Sequence, residues 1–227
     1  MTESAVLISQ DKLINNIAMH ISSTIERSAS RIVVVLTGEG GTGKTTVALR
    51  LREILAFLNC EVFEFDSFAM DRDKRLERGL SGYSIEAFDL SQASVALRQL
   101  CKNGQCWVPH YSHETGKRCN IQTCSDHHHF LYRKIVNMVV GVPLWCQELS
   151  WLSYQLSYFF EYNEANVRRT SRISIDRRRR GYNAHDAKIH FQRLLADYEA
   201  TILPSKQYCS YLVQVHSGFM YSMTKNI

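Results

Sequence analysis

Apolar positions along the chain alternate between two rhythms. Leu13, Ile14, Ile17, Ile21 and Ile25 recur at helical spacing, which predicts an amphipathic helix before the first strand, packed on a sheet. Residues 32–36 (IVVVL) are unbroken apolar, as a strand buried on both faces of a parallel sheet requires. A glycine-rich stretch follows, and then Val47, Ala48, Leu51, Ile54, Leu55 and Leu58 return to helical period before residues 61–65 (EVFEF) read as the next strand. This is a βαβ unit. Residues 135–140 (IVNMVV), 158–162 (YFFEY) and 211–215 (YLVQV) are further strands, separated by segments able to form helices. The alternation predicts an α/β fold with a doubly wound parallel sheet. Ala187, Phe191, Leu194, Leu195, Tyr198 and Ile202 share one face of a last long helix, which Pro204 ends. Gly104 and Gly116 bracket a stretch that reads as loop, and residues 119–129 are polar and irregular, a place for insertions.

Composition narrows the class without deciding it. The 227 residues suffice for one full core, and 45% hydrophobic with 22% charged residues is ordinary for a globular chain. No segment approaches the roughly 18 consecutive apolar residues of a membrane span, and the first residues lack the pattern of an export signal, so the expected location is the cytoplasm. The seven cysteines are then expected to remain mostly thiols. Much of the basic excess behind the net charge of +5 sits in Arg168, Arg169, Arg172 and residues 177–180. One anionic ligand met by a local arginine cluster explains this as well as a nucleic-acid surface does, and the latter ranks last.

The glycine-rich stretch carries the strongest chemical signal. Gly38-Glu39-Gly40-Gly41-Thr42-Gly43-Lys44-Thr45 satisfies GxxxxGK[ST] between a strand and a helix, the setting of a P-loop. Glycines are needed there because the backbone must wrap closely enough to aim N–H groups at phosphate oxygens. Gly38, Gly40, Gly41, Thr42, Gly43, Lys44, Thr45 and Thr46 are therefore the candidate nucleotide-binding residues, with Lys44 reaching the terminal phosphates and the Thr45 hydroxyl placed to ligate Mg²⁺. No NKxD-type base-reading element of a GTPase occurs, which favours a small-molecule kinase.

Beyond the loop, the chain resembles the uridine kinase and phosphoribulokinase family of P-loop kinases from about residue 32 to residue 215. Asp66-Ser67-Phe68 looks like the DSF of the family's DSFY element, and Ala87-Phe88-Asp89-Leu90 like its AFD segment at a helix start. Residues 109–118 (PHYSHETGKR) are similar to the substrate-pocket element PxYDFxTHxR, matching at Pro109, Tyr111 and Arg118. His113 stands three positions from the family's histidine, which aligns with Gly116. Residues 172–181 (RISIDRRRRG) resemble the lid RxxRDxxxRG, with Arg172, Asp176, Arg180 and Gly181 fitting; a solvated charge run is the plainer reading of that stretch. Pro204-Ser205-Lys206 resembles PSKxxAD. Two departures stand out: Tyr83 replaces a ribose-binding aspartate, and Val140-Gly141 replaces an EG dipeptide whose acid lies near Mg²⁺. Mg²⁺ would then rely on Thr45, water, the nucleotide and either Asp66 or Glu64.

The resemblance implies a P-loop kinase domain over 31–227 with an arginine-rich lid, and residues 1–30 as a helix packed on it. It implies ATP and Mg²⁺ as cofactors and transfer of the terminal phosphoryl group to a hydroxyl of a small nucleoside or sugar. Asp66, Lys44, Arg172 and Arg180 are the implied catalytic residues, and Tyr111, His113 and Arg118 line the acceptor pocket. A nucleotide-binding relative with impaired catalysis is the competing reading, and assembly as a homo-oligomer is compatible with both. Cys119, Cys124 and residues 127–129 (HHH) offer thiolate and imidazole groups for zinc but lack the CxxC spacing of common structural sites. Trp145, Trp151, Tyr154 and Tyr158 read as core packing around a short helix.

Overall fold

The computed structural model describes residues 6–28, 31–118, 128–132, 135–142 and 144–226. Helix α1 (Gln10–Ser28) leads into strand β1 (Ile32–Gly38), helix α2 (Lys44–Ile54), strand β2 (Cys60–Glu64) and helices α3 (Arg72–Glu77) and α4 (Leu90–Asn103). Short strands β3 (Gln105–Pro109), β4 (Tyr111–Ser112), β5 (Lys117–Arg118) and β6 (His128–Tyr132) follow. The chain then forms β7 (Val136–Val140), β8 (Leu156–Tyr162), helices α5 (Ala165–Arg180) and α6 (Ala184–Asp197), and strands β9 (Tyr211–Val215) and β10 (Tyr221–Lys225).

Six strands form the central sheet in the order β10-β9-β8-β1-β7-β2, parallel throughout except for β10, which runs antiparallel to β9. Residues in register on β1, β7 and β2 bury alternate side chains on opposite faces, so the unbroken apolar strands are covered twice. Ile32, Val34, Leu36, Val136, Met138 and Val140 meet α1 and α2, while Val35, Phe63 and Val139 meet α4. The seam of α1 that was expected from its spacing is Leu13, Ile14, Ile17 and Ile21, all fully buried, each contributing roughly 1.5–3 kcal/mol of transfer free energy. From β1 the chain departs toward β2, and from β8 toward β9. The crevice at the carboxyl ends of β1 and β8 is thus a topological switch point, where sheets of this kind bind ligands.

Three local expectations are corrected. The stretch between Gly104 and Gly116 is not a plain loop: β3 pairs with β6 and β4 with β5, because Cys106 and Val108 point inward while Gln105 and Trp107 point outward, the two-residue period of a strand. The last long helix ends earlier, at Asp197; a π-turn (Tyr198–Ile202) and a 3-10 segment (Leu203–Tyr208) carry the chain through Pro204, which sits at the start of that segment where its missing N–H costs little. Tyr158 does not join Trp145, Trp151 and Tyr154; it lies on the opposite face of the sheet, stacked on Tyr211 and accepting or donating a hydrogen bond at 3.1 Å with His20. The edge strand β10 was not anticipated, since YSMTK shows no apolar run.

Candidate active site

The glycine-rich loop is built from the end of β1. Gly38 has φ 109°, and a Cβ there would lie 2.2 Å from the carbonyl oxygen of Phe160, so only glycine lets β1 and β8 approach this closely. The Glu39 amide donates to that same carbonyl at 2.7 Å. The Thr42 hydroxyl donates to the Glu39 carbonyl at 2.6 Å, and Gly43, at φ 90°, turns the chain into α2, whose N-terminal end carries the positive pole of its dipole. Lys44 is buried, and its ammonium donates to the carbonyls of Gly38 at 3.1 Å and Glu39 at 2.6 Å. Burial pushes its pKa down to about 8, against the opposing pull of the Asp66 and Glu39 carboxylates. Thr45 is half-buried beside it and Thr46 is exposed.

Helix α5 closes over this loop. Its arginine spacing places Arg168 and Arg172 on one face, one helical turn apart. Arg168 Nε donates to Glu39 Oε1 at 2.7 Å, and the other Glu39 oxygen accepts from the Tyr162 amide at 3.2 Å. Burial raises the pKa of Glu39, and the Arg168 guanidinium opposes that shift. Arg172 is only 5% exposed, and its Nη1 lies 3.2 Å from where a Cβ would stand at either Gly40 or Gly41. It faces Asp176 at 3.8 Å, which in turn meets His190 Nδ1 of α6 at 2.9 Å. The buried Nε of Arg172 makes no hydrogen bond among the described residues, an unsatisfied donor that suits an anion. Two tyrosines complete the cover: the Gly40 amide donates to the Tyr83 hydroxyl at 2.7 Å, and the Tyr162 hydroxyl donates to the Gly41 carbonyl at 2.9 Å. Arg180 ends α5, but its side chain lies outside the described residues.

Asp66 approaches from the other side. It sits in the turn (Phe65–Phe68) after β2, fixed by the buried rings of Phe65 and Phe68. Its carboxylate is the leading charge that favours the ammonium form of Lys44. His113 Nε2 lies 3.7 Å from Asp66 Oδ2, and the His113 ring stands edge-on to Tyr111 at 5.4 Å. The Tyr111 hydroxyl accepts from Arg75 Nη2 at 2.9 Å. Arg118 turns away toward α4, donating to Gln92 Oε1 at 3.1 Å and facing Asp89 at 3.9 Å; Asp89 itself caps α4. The structure therefore links Lys44 by charge to Asp66 and Arg172, Asp66 to His113 and His113 to Tyr111, while Arg118 is turned toward α4. Val140 is 3% exposed, in the core beneath α2, with Leu36 and Glu64 as its register partners. Among the described residues no His/Cys/Asp/Glu cluster of metal-site geometry occurs; of the zinc candidates, Cys119, Cys124, His127 and the side chains of His128 and His129 fall outside them.

Sequence reading missed Glu39, Tyr162, Arg75 and His190. Glu39 occupies an unrestricted position of the loop motif, and its partner Arg168 lies 129 residues away, so no local signal marks it. Tyr83 was noticed as a replaced aspartate, but its contact with Gly40 was not foreseeable.

A glycine loop at the switch point of a parallel sheet, under an arginine-bearing helix, defines a P-loop protein of the nucleotide-binding α/β class. Residues 33–219 match the profile of the Phosphoribulokinase / Uridine kinase family. The chain belongs to that family. Among curated proteins no sequence match is found. Solved structures with a similar fold include a possible uridine kinase from Bacillus stearothermophilus (22% identity, TM-score 0.56, covering 85% of this chain and 93% of that one). Phosphoribulokinase from Rhodobacter spheroides is similar at 17% identity and TM-score 0.60, over 83% of this chain and 71% of that one. A D-glycerate 3-kinase from Cryptococcus neoformans var. grubii is similar at 11% identity and TM-score 0.67, over 94% and 99%. No described helix is long and apolar enough to cross a membrane.

Proposed function

We propose that this chain is an ATP-dependent kinase that transfers the terminal phosphoryl group to a hydroxyl of a small metabolite of nucleoside or sugar type. The observation that supports the reading is that the partly exposed Asp66 carboxylate, in the turn after β2, lies near enough to the loop to favour the ammonium form of Lys44. A phosphate-binding ammonium with a carboxylate beside it suits in-line transfer from a triphosphate to an activated hydroxyl. Lys44 and the loop amides hold the phosphates in this reading, Arg172 and Arg180 meet the charge that spreads over the transferring group, and Asp66 takes the acceptor's proton. Tyr111 and His113 flank the acceptor. The donor set also fits Mg²⁺, since the Thr45 hydroxyl and nearby carboxylates are hard oxygen ligands; when bound, the ion neutralises phosphate charge. Relatives of this fold carry different acceptors in their names, so the acceptor is set by the side chains around Asp66 and not by the frame.

The test begins with ATP titration by calorimetry on the wild type and Lys44→Ala, where loss of charge-assisted contacts raises Kd by about a hundredfold. Equal affinities remove the loop as the nucleotide site. A phosphotransfer screen of nucleosides and sugars with Mg-ATP then identifies the acceptor. The second reading, a nucleotide-binding relative with impaired catalysis, is favoured by the apolar burial of Val140 and predicts ATP binding without turnover of any acceptor.

A further inference from the structure

The lid pattern accounts for Arg172 and Arg180 but leaves three further arginines of α5 without a role. Arg169, Ile173 and Arg177 recur at four-residue spacing, as do Thr170, Ser174 and Arg178, so two rows lie side by side on one helix face. The face toward the phosphate loop is a different one, set by Arg168, Arg172 and Ile175. Along the two rows the surface hollows into a groove of about 780 Å³, which Tyr182, just beyond the helix end, also lines. That volume falls within the roughly 300–1,000 Å³ of small-molecule sites.

The groove carries one sign of charge. No carboxylate is among its described lining residues, and the acid of α5, Asp176, is turned inward to Arg172 and His190. Arg169, Arg177 and Arg178 are exposed and make no ion pair among the described residues. The Tyr182 hydroxyl is buried and has no hydrogen-bond partner among them, a polar group that is costly to leave unmet. The geometry points to a second anion site on the outer face of α5, one that takes a small phosphate ester of two or more negative charges. Guanidiniums present paired N–H donors that match phosphate oxygens, and the hydroxyls of Thr170 and Ser174 add neutral donors between them. Half-buried Ile173, between Arg169 and Arg177, offers apolar contact to the carbon part of the ester. A hollow with a buried hydroxyl suits a compact ligand, whereas an extended polyanion needs only a flat basic face. The site stands apart from the phosphate loop and does not depend on the kinase reading.

The probe is pyrophosphate, titrated by calorimetry into the full chain carrying Lys44→Ala, so that the loop contributes little. This chain is expected to bind the probe still. Adding Arg169→Gln and Arg177→Gln is expected to weaken it by about tenfold or more. Adding Tyr182→Phe instead is expected to weaken it by about threefold, a loss that charge alone does not produce. Arg31→Gln with Arg52→Gln removes the same charge from exposed positions outside the groove and is expected to change affinity by less than about twofold. If the groove arginine variant fails to fold by circular dichroism, Tyr182→Phe decides. No binding in the Lys44→Ala chain, equal affinity in all variants, or equal loss from the two arginine pairs overturns the site. A short single-stranded oligonucleotide that binds the groove more tightly than pyrophosphate, with a steep salt dependence, also overturns it and assigns the face to nucleic acid.

Discussion

Lys44 and Asp66 feel each other's charge, yet their surroundings differ. On the Lys44 side Glu39 is 2% and Arg172 5% exposed, and Glu39, Gly40, Gly41, Thr42 and Lys44 are each hydrogen-bonded to a neighbour in the loop, in β8, in α5 or to Tyr83. On the Asp66 side, its side chain is 34% and that of His113 56% exposed, and the contact between them is a loose 3.7 Å. Charges in the first region act through a low dielectric and are costly to leave unpaired, whereas those in the second are screened and replaceable. A family can keep one phosphate grip while its acceptor changes, provided the two regions are separated in this way.

That contrast can be broken most strongly at Asp66. Asp66→Asn is expected to lower kcat on the identified acceptor by about a thousandfold, the range of a lost general base, with ATP Kd changed by less than about threefold. Equal loss in both would place Asp66 among the phosphate contacts. Next comes the buried pair. Arg168→Ala leaves the Glu39 carboxylate buried without its guanidinium and is expected to destabilise the fold by about 3 kcal/mol in urea titration, while Arg168→Ala/Glu39→Gln regains most of it. An additive double variant would show that the pair is not coupled. The smallest effect is in pH. The pKa of Lys44 is depressed to about 8 from 10.5, and the charged form is the one that meets phosphate. ATP affinity is therefore full below pH 8 and falls as pH rises through it, by about tenfold per unit above, while Lys44→Arg gives a flat profile. A wild-type profile as flat as that of the arginine variant would mean that Lys44 stays protonated in the loop.

The two regions were also unequally legible. The loop could be read because its signal is contiguous: a strand apolar on both faces, glycines at Gly38, Gly41 and Gly43 that all take positive φ, and a helix that starts at Lys44. Core strands were placed to within two residues for the same reason, since short apolar runs depend on their own side chains. The Asp66 turn, the Asp89 cap and the general place of the lid came through the family resemblance. What stayed hidden was contact between distant segments, such as Tyr83 on Gly40 and Glu39 on Arg168, where each residue alone satisfies no pattern. Tyr158 was misgrouped because sequence proximity to Trp151 and Tyr154 does not report which face of β8 a residue occupies.

Behind Gly43, a Cβ would meet the Tyr221 hydroxyl at 3.2 Å and Gln10 Nε2 at 3.6 Å, and these two groups hydrogen-bond to each other at 3.0 Å. Ile8 also bridges to Tyr221 through paired backbone hydrogen bonds of 2.7 and 2.8 Å. The back wall of the phosphate loop is thus assembled from residues far apart in the order of synthesis. A ribosome that has made the loop must run on for roughly ten seconds or more before Tyr221 emerges to brace it. Nucleotide binding would accordingly be a late property of the nascent chain, acquired when the antiparallel edge strand docks and not when the loop motif itself has been made.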